Sequence, residues 1–312
     1  MLYDEIIEWL LIGDVSIQYQ VYRDLLGLEK FDLRKKIESE GWGKQFLSYR
    51  KDDGYWGNGF YNPKWRSSHY TLLDLKYLNI FPDNRPIKET INKIFEKGKG
   101  QDGGLNPSAT LKQSDVCINA MAINYASYFR IKEDHLKSVI DFILEEKMND
   151  GGFNCQSNRR KVYHSSLHTT LSVLEGFYEY EKNGYTYRIG EIKEVRNSSH
   201  EFILMHRLYK SDKTGEIIKP AFLKLCYPGR WYYDILKAMD YFSLANVMYD
   251  RRMNDAMEVL NKRKTKEGLW KLPSHHAGEV HFKMEEVGKP SRWNTLRALR
   301  VLKKYDDEVK KK

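Results

Sequence analysis

The chain has 312 residues, which is long enough for one large domain or two average ones and for a sizeable core. Apolar residues make up 41% and charged residues 30%, which excludes an intrinsically disordered chain. No apolar stretch approaches the roughly 20 residues that a membrane-spanning helix needs. The net charge of +9 is spread among acidic residues along the chain, which predicts a solvated surface and no nucleic-acid partner.

The first residues, MLYDEIIEW, are acidic where a signal peptide has a basic region. Three cysteines, Cys117, Cys155 and Cys226, are too few for a disulfide framework, and no Cys-x-x-Cys pair occurs. The sequence therefore predicts a cytoplasmic protein in a reducing compartment.

Two kinds of helical segment alternate along the chain. The charged kind is predicted at Tyr3–Leu11, Arg34–Tyr49, Pro86–Lys97, Lys132–Lys147, Ile189–Leu208 and Arg251–Lys264. The apolar, aromatic-rich kind recurs about every 50–70 residues and begins at Val15, Arg66, Ser114, Tyr163, Trp231 and Arg292. Two short segments, 185–189 and 216–225, have the pattern of strands.

A turn pattern containing Asp-Gly or Glu-Gly precedes several of the apolar segments. It reads DDGYW at 52–56, QDGGLNP at 101–107, NDGGFN at 149–154 and KEGLW at 266–270. Glycine at such positions supplies positive φ and ends helices, so these segments are predicted loops. A helix pair cannot bury its own apolar face, and six pairs must pack on one another. We therefore expect an all-α fold in which residues 1–312 form a single (α/α)6 toroid, with apolar helices inside and charged helices outside.

These repeats resemble the terpenoid-cyclase and protein-prenyltransferase superfamily, whose repeats combine a DGG-type loop with an inner barrel helix. The stretches HSSLHTTLSVLEGF at 164–177 and EEVGKPSRWNTLRALRVLKKY at 285–305 look closest to squalene-cyclase-like proteins of bacteria and archaea. The chain lacks the Asp-x-Asp-Asp motif of class II cyclases and the Asp-Asp-x-x-Asp motif of class I synthases. Cyclisation initiated by protonation or by magnesium is therefore not expected.

A second resemblance is to the zinc site of protein-prenyltransferase β subunits. Lys112, Asp115 and Cys117 match a Lys-x-x-Asp-x-Cys pattern of that family, and His164 opens the following segment. The resemblance implies that Asp115, Cys117 and His164 hold zinc, that Lys112 contacts a prenyl diphosphate, and that a separate partner chain completes the site. The alternative is a helix-capping Asp115, a buried Cys117 and a His164 that is hydrogen-bonded in the core.

Cationic and aromatic residues cluster where the apolar helices begin, and helix N-termini add partial positive charge. This pattern predicts a mouth that binds an anionic or apolar ligand through His69, Lys112, Arg159, Arg160, Arg230, Trp231, Arg292 and Trp293. His168 and Asp234 are the candidate catalytic acid–base residues. The segment from His275 to His281 is expected to be a surface loop.

Three functions remain open from the sequence. The leading expectation is a toroid that binds an isoprenoid or another apolar-tailed anion in its central cavity and carries out zinc-assisted prenyl transfer. The alternative is a non-catalytic ligand-binding or scaffold toroid. The third is a carbohydrate-active enzyme with two facing carboxylates, for which Asp74, Asp115 and Asp234 are available.

Overall fold

The structure is a computed structural model that describes residues 2–108 and 110–310, with side chains through residue 306. Within these residues the secondary structure is helical, apart from isolated bridges, which confirms the predicted all-α class. The α-helices are α1 Tyr3–Leu11, α2 Val15–Gln20, α3 Phe31–Lys36, α4 Gly41–Ser48, α5 Ser68–Tyr77, α6 Arg85–Lys97, α7 Val116–Tyr128, α8 Glu133–Glu145, α9 Leu167–Lys182, α10 Ile189–Met205, α11 Ile235–Leu244, α12 Asn254–Lys262 and α13 Arg292–Lys310.

The two predicted strands are wrong. Residues 185–188 form irregular backbone and a turn before α10, and Tyr185 stacks on Tyr180. Within 216–225 the structure has one bridge, from Ile217 to Lys210, followed by a short 3-10 helix. The alternation of apolar residues in these segments reflects local packing beside helices.

The chain divides into two compact units, each built from several segments. The terminal unit contains the residues up to 48, residues 77–81 and the residues from 204 onward. The central unit contains residues 49–76 and 82–203. The predicted single domain and the predicted closure into a ring stay predictions.

The central unit is organised around α7 and α9, which pack closely against each other. A Cβ placed on Gly176 of α9 would lie 2.5 Å from the carbonyl oxygen of Ala120 in α7, so only glycine allows this approach. Helix α7 is buried almost all round, whereas α8 buries one face through Leu136, Val139, Ile140 and Ile143. This pairing of an all-round buried helix with an amphipathic one agrees with the two predicted kinds of segment.

The terminal unit packs α11 against α13 and buries charges between its helices. Arg300 Nη2 lies 2.8 Å from Asp24 Oδ2, and Arg300 Nη1 lies 2.7 Å from Asp240 Oδ1. Arg297 Nε also reaches Asp240, at 3.3 Å. The arginines of α13, which look like surface charges in the sequence, therefore neutralise buried carboxylates.

The helix predicted over Arg34–Tyr49 is instead two helices, α3 and α4. Gly41 lies at the break with a φ of +58°, and a Cβ there would lie 2.1 Å from Asp14 Oδ2. That carboxylate oxygen accepts a hydrogen bond from the backbone N–H of Trp42 at 2.8 Å. Because Asp14 occupies the space beside Gly41, the chain turns there and starts α4 anew.

The Asp-Gly loops share one backbone geometry. In the loops starting at Lys51, Gly100, Met148 and Thr265, the first N–H donates to the carbonyl four residues later, at 2.7–3.0 Å. A positive-φ glycine closes each turn, at Gly54, Gly103, Gly151 and Gly268. A fifth loop, Ser211–Glu216, has the same design with one extra residue and with Gly215 at positive φ. The turn pattern in the sequence did not identify this fifth loop, because it has one residue more than the other four.

Each of the four shorter loops is followed by a fully buried side chain whose backbone is tied to the next long helix. The N–H groups of Trp56, Leu105, Phe153 and Trp270 donate to side chains in the first turns of α5, α7, α9 and α13. The acceptors are Ser68 Oγ, Asn119 Oδ1, Thr170 Oγ1 and Thr295 Oγ1, at 2.6–3.1 Å. The repeat is therefore held by polar contacts as well as by apolar burial.

Candidate functional site

A cleft in the terminal unit brings together cationic, imidazole and aromatic side chains. Its lining comes from α4, from residues 227–230 and from residues 275–285: Phe46, Tyr227, Pro228, Arg230, His275, His276, Gly278, Val280, His281, Phe282, Lys283, Met284 and Glu285. The enclosed volume is about 50 Å³. A water molecule needs roughly 10–15 Å³ on this measure, so the cleft holds a few waters or one small polar group.

Arg230 is held in the cleft by the loop that precedes α11. Arg230 is only 5% exposed, and its backbone has a φ of +53°. The Arg230 carbonyl accepts a hydrogen bond from Lys237 Nζ at 2.8 Å. Asp234 caps α11 by accepting a hydrogen bond from the Lys237 N–H at 2.8 Å. These hydrogen bonds at the start of α11 therefore fix the backbone position of Arg230, from which its side chain extends.

His276 is a neutral imidazole beside this cation. Burial, together with the positive charges of Arg230 and Lys237, lowers the pKa of His276 to about 4. The ring stacks on Tyr232, with centroids 3.9 Å apart and planes 14° apart. Near pH 7 the imidazole therefore offers a hydrogen-bond donor or acceptor without a charge.

Two imidazole nitrogens in the cleft are buried and have no hydrogen-bond partner. They are Nε2 of His275 and Nε2 of His276. Buried polar atoms are nearly always paired, either within the protein or with water or ligand. These two nitrogens are therefore places where a bound molecule would be recognised.

Glu285, the carboxylate that lines the cleft, is already engaged at the start of α13. Its Oε1 accepts hydrogen bonds from the N–H groups of Arg292 at 2.6 Å and Trp293 at 3.2 Å, and its Oε2 accepts one from the Ser291 hydroxyl. Burial raises the pKa of Glu285, while these hydrogen bonds oppose the rise. This acid therefore faces the start of α13, while Arg230 and Lys283 also line the cleft.

Aromatic side chains form the apolar walls. Phe46 packs on Phe282 with ring centroids 4.6 Å apart, and Tyr227 stacks on Trp293 at 4.6 Å. The second face of Trp293 meets Trp42 at 6.1 Å. Cations above such walls suit a ligand that has both charged and apolar parts.

The ligand-binding residues predicted in this unit occupy different positions in the structure. Arg230 lines the cleft, Trp231 stacks on Tyr232, and Trp293 supports the wall through Tyr227. Arg292 instead packs over the Trp9 ring at 4.5 Å and donates from Nε to the Trp9 carbonyl. These contacts hold Arg292 against Trp9, and its predicted ligand-binding role stays a prediction.

The histidine loop is the surface loop that was expected, and the catalytic role predicted for Asp234 stays a prediction. Asp234 is 3% exposed and serves as the N-cap of α11, and burial raises its pKa. The segment from His275 to His281, expected to be a surface loop, contributes three histidines to the cleft lining. The available signal was the concentration of three imidazoles in one loop, closely followed by Lys283.

In the central unit, the predicted anion-binding residues lie in different environments. Arg159 pairs with Asp115, with Nη1 3.0 Å from Oδ1, and donates to the Gln113 carbonyl at 2.8 Å. Lys112 and Arg160 are exposed, and His168 lies half-buried in α9. His69 is fully buried, with Nδ1 3.4 Å from Tyr125 Oη, and burial lowers its pKa to about 3.

The predicted zinc ligands are not assembled. Within residues 2–108 and 110–310, no three His, Cys, Asp or Glu side chains lie where they could hold one metal ion. His164 is exposed and precedes α9, which begins only at Leu167, and Asp115 is paired with Arg159. Cys117 instead contacts Cys155, whose sulfur accepts a hydrogen bond from the Cys117 N–H at 3.0 Å. These residues do not fit a zinc site, so we derive no step through zinc.

The sequence matches no protein-family model and no curated protein. The resemblance to terpenoid cyclases and prenyltransferases therefore stays a prediction. None of the helices in the described part of the chain is both long enough and apolar enough to cross a membrane.

Proposed function

We propose that this protein binds an anionic ligand with an apolar portion, and that the anionic group enters the cleft of the terminal unit. The observation that carries the proposal is the buried Arg230 beside two unpartnered imidazole nitrogens, of His275 and His276. An isoprenoid diphosphate or a fatty acid has the required chemistry. The proposal is one of binding, with no reaction assigned.

The division of labour within the cleft follows from the side chains. The Arg230 guanidinium can donate two parallel hydrogen bonds to a phosphate or carboxylate. The neutral imidazole of His276 can donate to a further ligand oxygen without adding charge. The exposed Lys283 attracts an anion from solution, an effect that salt weakens.

The small volume of the cleft limits what enters it. About 50 Å³ admits a headgroup but not a long hydrocarbon chain. The apolar portion would therefore lie along the aromatic wall that Phe46 and Phe282 form at the cleft lining. This arrangement favours an amphiphile over an oligosaccharide, whose binding does not need a buried cation.

We also propose that the six predicted helix pairs close into an (α/α)6 toroid. Support comes from the five loops of shared geometry and from the alternation of all-round buried and amphipathic helices. Small-angle X-ray scattering tests this directly. A profile that fits an elongated solenoid and not a compact ring would refute the closure.

The binding proposal is tested by isothermal titration of the full chain with farnesyl diphosphate, laurate, inorganic diphosphate and maltohexaose. We expect farnesyl diphosphate or laurate to bind, inorganic diphosphate to bind more weakly, and maltohexaose not to bind. Arg230→Gln should weaken binding about 10- to 100-fold, since a hydrogen bond to a charged group contributes roughly 1.5–3 kcal/mol.

A matched pair of surface variants provides the control. Lys283→Ala removes a cation at the cleft, and Lys266→Ala removes an exposed cation in a loop outside its lining. We expect only Lys283→Ala to weaken anion binding and its salt dependence. Equal affinity of wild type, Arg230→Gln and Lys283→Ala for every anion would refute the proposed site.

A further inference from the structure

A pair of cysteines in the central unit lies outside the proposed ligand site. Cys117 is in the first turn of α7, and Cys155 lies in the segment between the loop ending at Gly152 and helix α9. Both residues are partly exposed to solvent, and both are free thiols. Part of each residue's surface is therefore open to solvent.

The Cys155 sulfur is surrounded by hydrogen-bond donors. The backbone N–H of Cys117 donates to Cys155 Sγ at 3.0 Å, and the Thr169 hydroxyl donates at 3.4 Å. The Cys117 thiol donates as well, and this bond is the largest cause of the lowered pKa of Cys155. The same bond, together with burial, raises the pKa of Cys117. The two sulfurs thus have unequal roles, with the thiolate favoured at Cys155.

The segment that carries Cys155 is fastened to the start of α7. Asn158 Nδ2 donates to the Ser114 carbonyl at 3.2 Å, and Arg159 Nη2 donates to the Gln113 carbonyl at 2.8 Å. The Arg159–Asp115 ion pair adds a third link. These contacts hold the two cysteines together although they are 38 positions apart in the chain.

We propose that Cys117 and Cys155 form a hydroperoxide-reactive thiol pair, in which Cys155 is the attacking residue and Cys117 resolves the product to a disulfide. The Cys155 thiolate attacks one oxygen of ROOH, so that an S–O bond forms and the O–O bond breaks. The departing RO⁻ takes up a proton as ROH, which leaves Cys155 as a sulfenic acid. Sulfur is oxidised by two electrons and the peroxide is reduced by two.

The second step joins the two sulfurs. The Cys117 sulfur attacks the sulfenic sulfur of Cys155, the S–S bond forms and the S–O bond breaks. The hydroxyl group leaves with the Cys117 proton as water. The hydrogen bond from the Cys117 N–H to Cys155 Sγ favours this step, because it already holds the Cys117 backbone against the sulfur that Cys117 must reach. The disulfide then needs an S–S separation of roughly 2.03–2.05 Å.

The test treats the reduced full chain with hydrogen peroxide, unfolds it in urea, alkylates the remaining thiols and maps the peptides by mass spectrometry. We expect loss of the alkylatable thiols at Cys117 and Cys155 and a linked peptide pair. Cys226 provides an internal control, because it is buried and burial raises the pKa of its thiol. It should remain alkylatable.

Serine variants assign the two roles. Cys117→Ser should leave a sulfenic acid at Cys155 that dimedone traps, whereas Cys155→Ser should leave Cys117 without a dimedone adduct. Circular dichroism confirms that each variant is folded, and the wild-type peptide map is informative without them. Retention of both thiols in wild type, or oxidation of Cys226 before Cys155, would overturn the proposal.

Discussion

Buried His69 makes a specific contribution to acid sensitivity. The side chain is fully buried among aromatic rings, with Tyr70 at 4.9 Å and Phe60 and Tyr125 both at 5.6 Å between ring centroids. Burial lowers its pKa from 6.5 to about 3. Between these two values the unfolded chain binds a proton that the native state does not. Stability therefore rises with pH across this window and is lost as pH falls.

The magnitude follows from the same pair of values. One proton of difference changes the free energy of unfolding by about 1.4 kcal/mol per pH unit. From pH 7 to pH 4.5, protonation of the unfolded state at His69 costs about 2.5 kcal/mol of stability. Other groups also titrate in this range, so the measured quantity is the difference between wild type and a His69 variant.

Urea unfolding of wild type and His69→Gln, followed by circular dichroism at pH 7 and pH 4.5, measures this difference. We expect the variant to lose about 2.5 kcal/mol less than wild type between the two pH values. His164→Gln is the matched control and should follow the wild-type profile, because His164 is exposed. If His69→Gln and wild type lost equal stability, His69 would not be a buried neutral imidazole.

Three further outcomes follow from the packing and from the cleft. Gly176→Ala forces a Cβ against the Ala120 carbonyl and should lower the free energy of unfolding, measured in urea, by about 1–3 kcal/mol. Gly190→Ala, in open space on α10, is the control and should not lower it. An equal loss in the two variants would contradict the packing argument. Trp270→Ala should cost about 3–5 kcal/mol, because the side chain is fully buried; a loss below about 1 kcal/mol would contradict this packing. Binding of farnesyl diphosphate, which stays anionic in this range, should strengthen as pH falls from 6 toward the His276 pKa of about 4, and a flat titration profile would exclude this imidazole from the site.

Helix type was predictable from the sequence because periodicity reports burial directly. Helix α6 coincides with its predicted range to within one residue, and α7 begins two residues after Ser114. The starts of α9 and α11 were placed too early, since Tyr163 and Trp231 precede capping residues that a hydrophobic pattern does not reveal. Capping by Ser166 or Asp234 depends on where the preceding loop delivers the backbone.

The candidate sites were less predictable because long-range contacts decide them. The Lys-x-x-Asp-x-Cys match drew attention to Asp115 and Cys117. In the structure, Asp115 pairs with Arg159, and Cys117 contacts Cys155. Similarly, the charge of Arg292 gave no indication that Trp9 would be its partner. Residue type shows which interactions a side chain can make, whereas the fold determines which neighbouring residue makes them with it.

The repeat explains why chemistry collects in the stretches between an Asp-Gly loop and the next long helix. Each such stretch is fixed at its start by a buried residue, such as Phe153, that is bonded to the following helix. At its end, Asp102 and Asp150 bind Ser114 and Ser165, and Glu285 plays the same part for Ser291.

With both ends fixed, the intervening residues can change in length and chemistry without moving the helices. Cys155 lies in one such stretch, and His276 lies in another. Removing the hydrogen bonds at one end of a stretch should therefore change the reactivity of its side chains without unfolding the helices. Asp150→Asn weakens the tie to Ser165, and we expect it to slow peroxide-driven disulfide formation at Cys155 while the helical circular dichroism signal stays unchanged. Loss of the helical signal together with reactivity would show that the stretch and the helices form one cooperative structure.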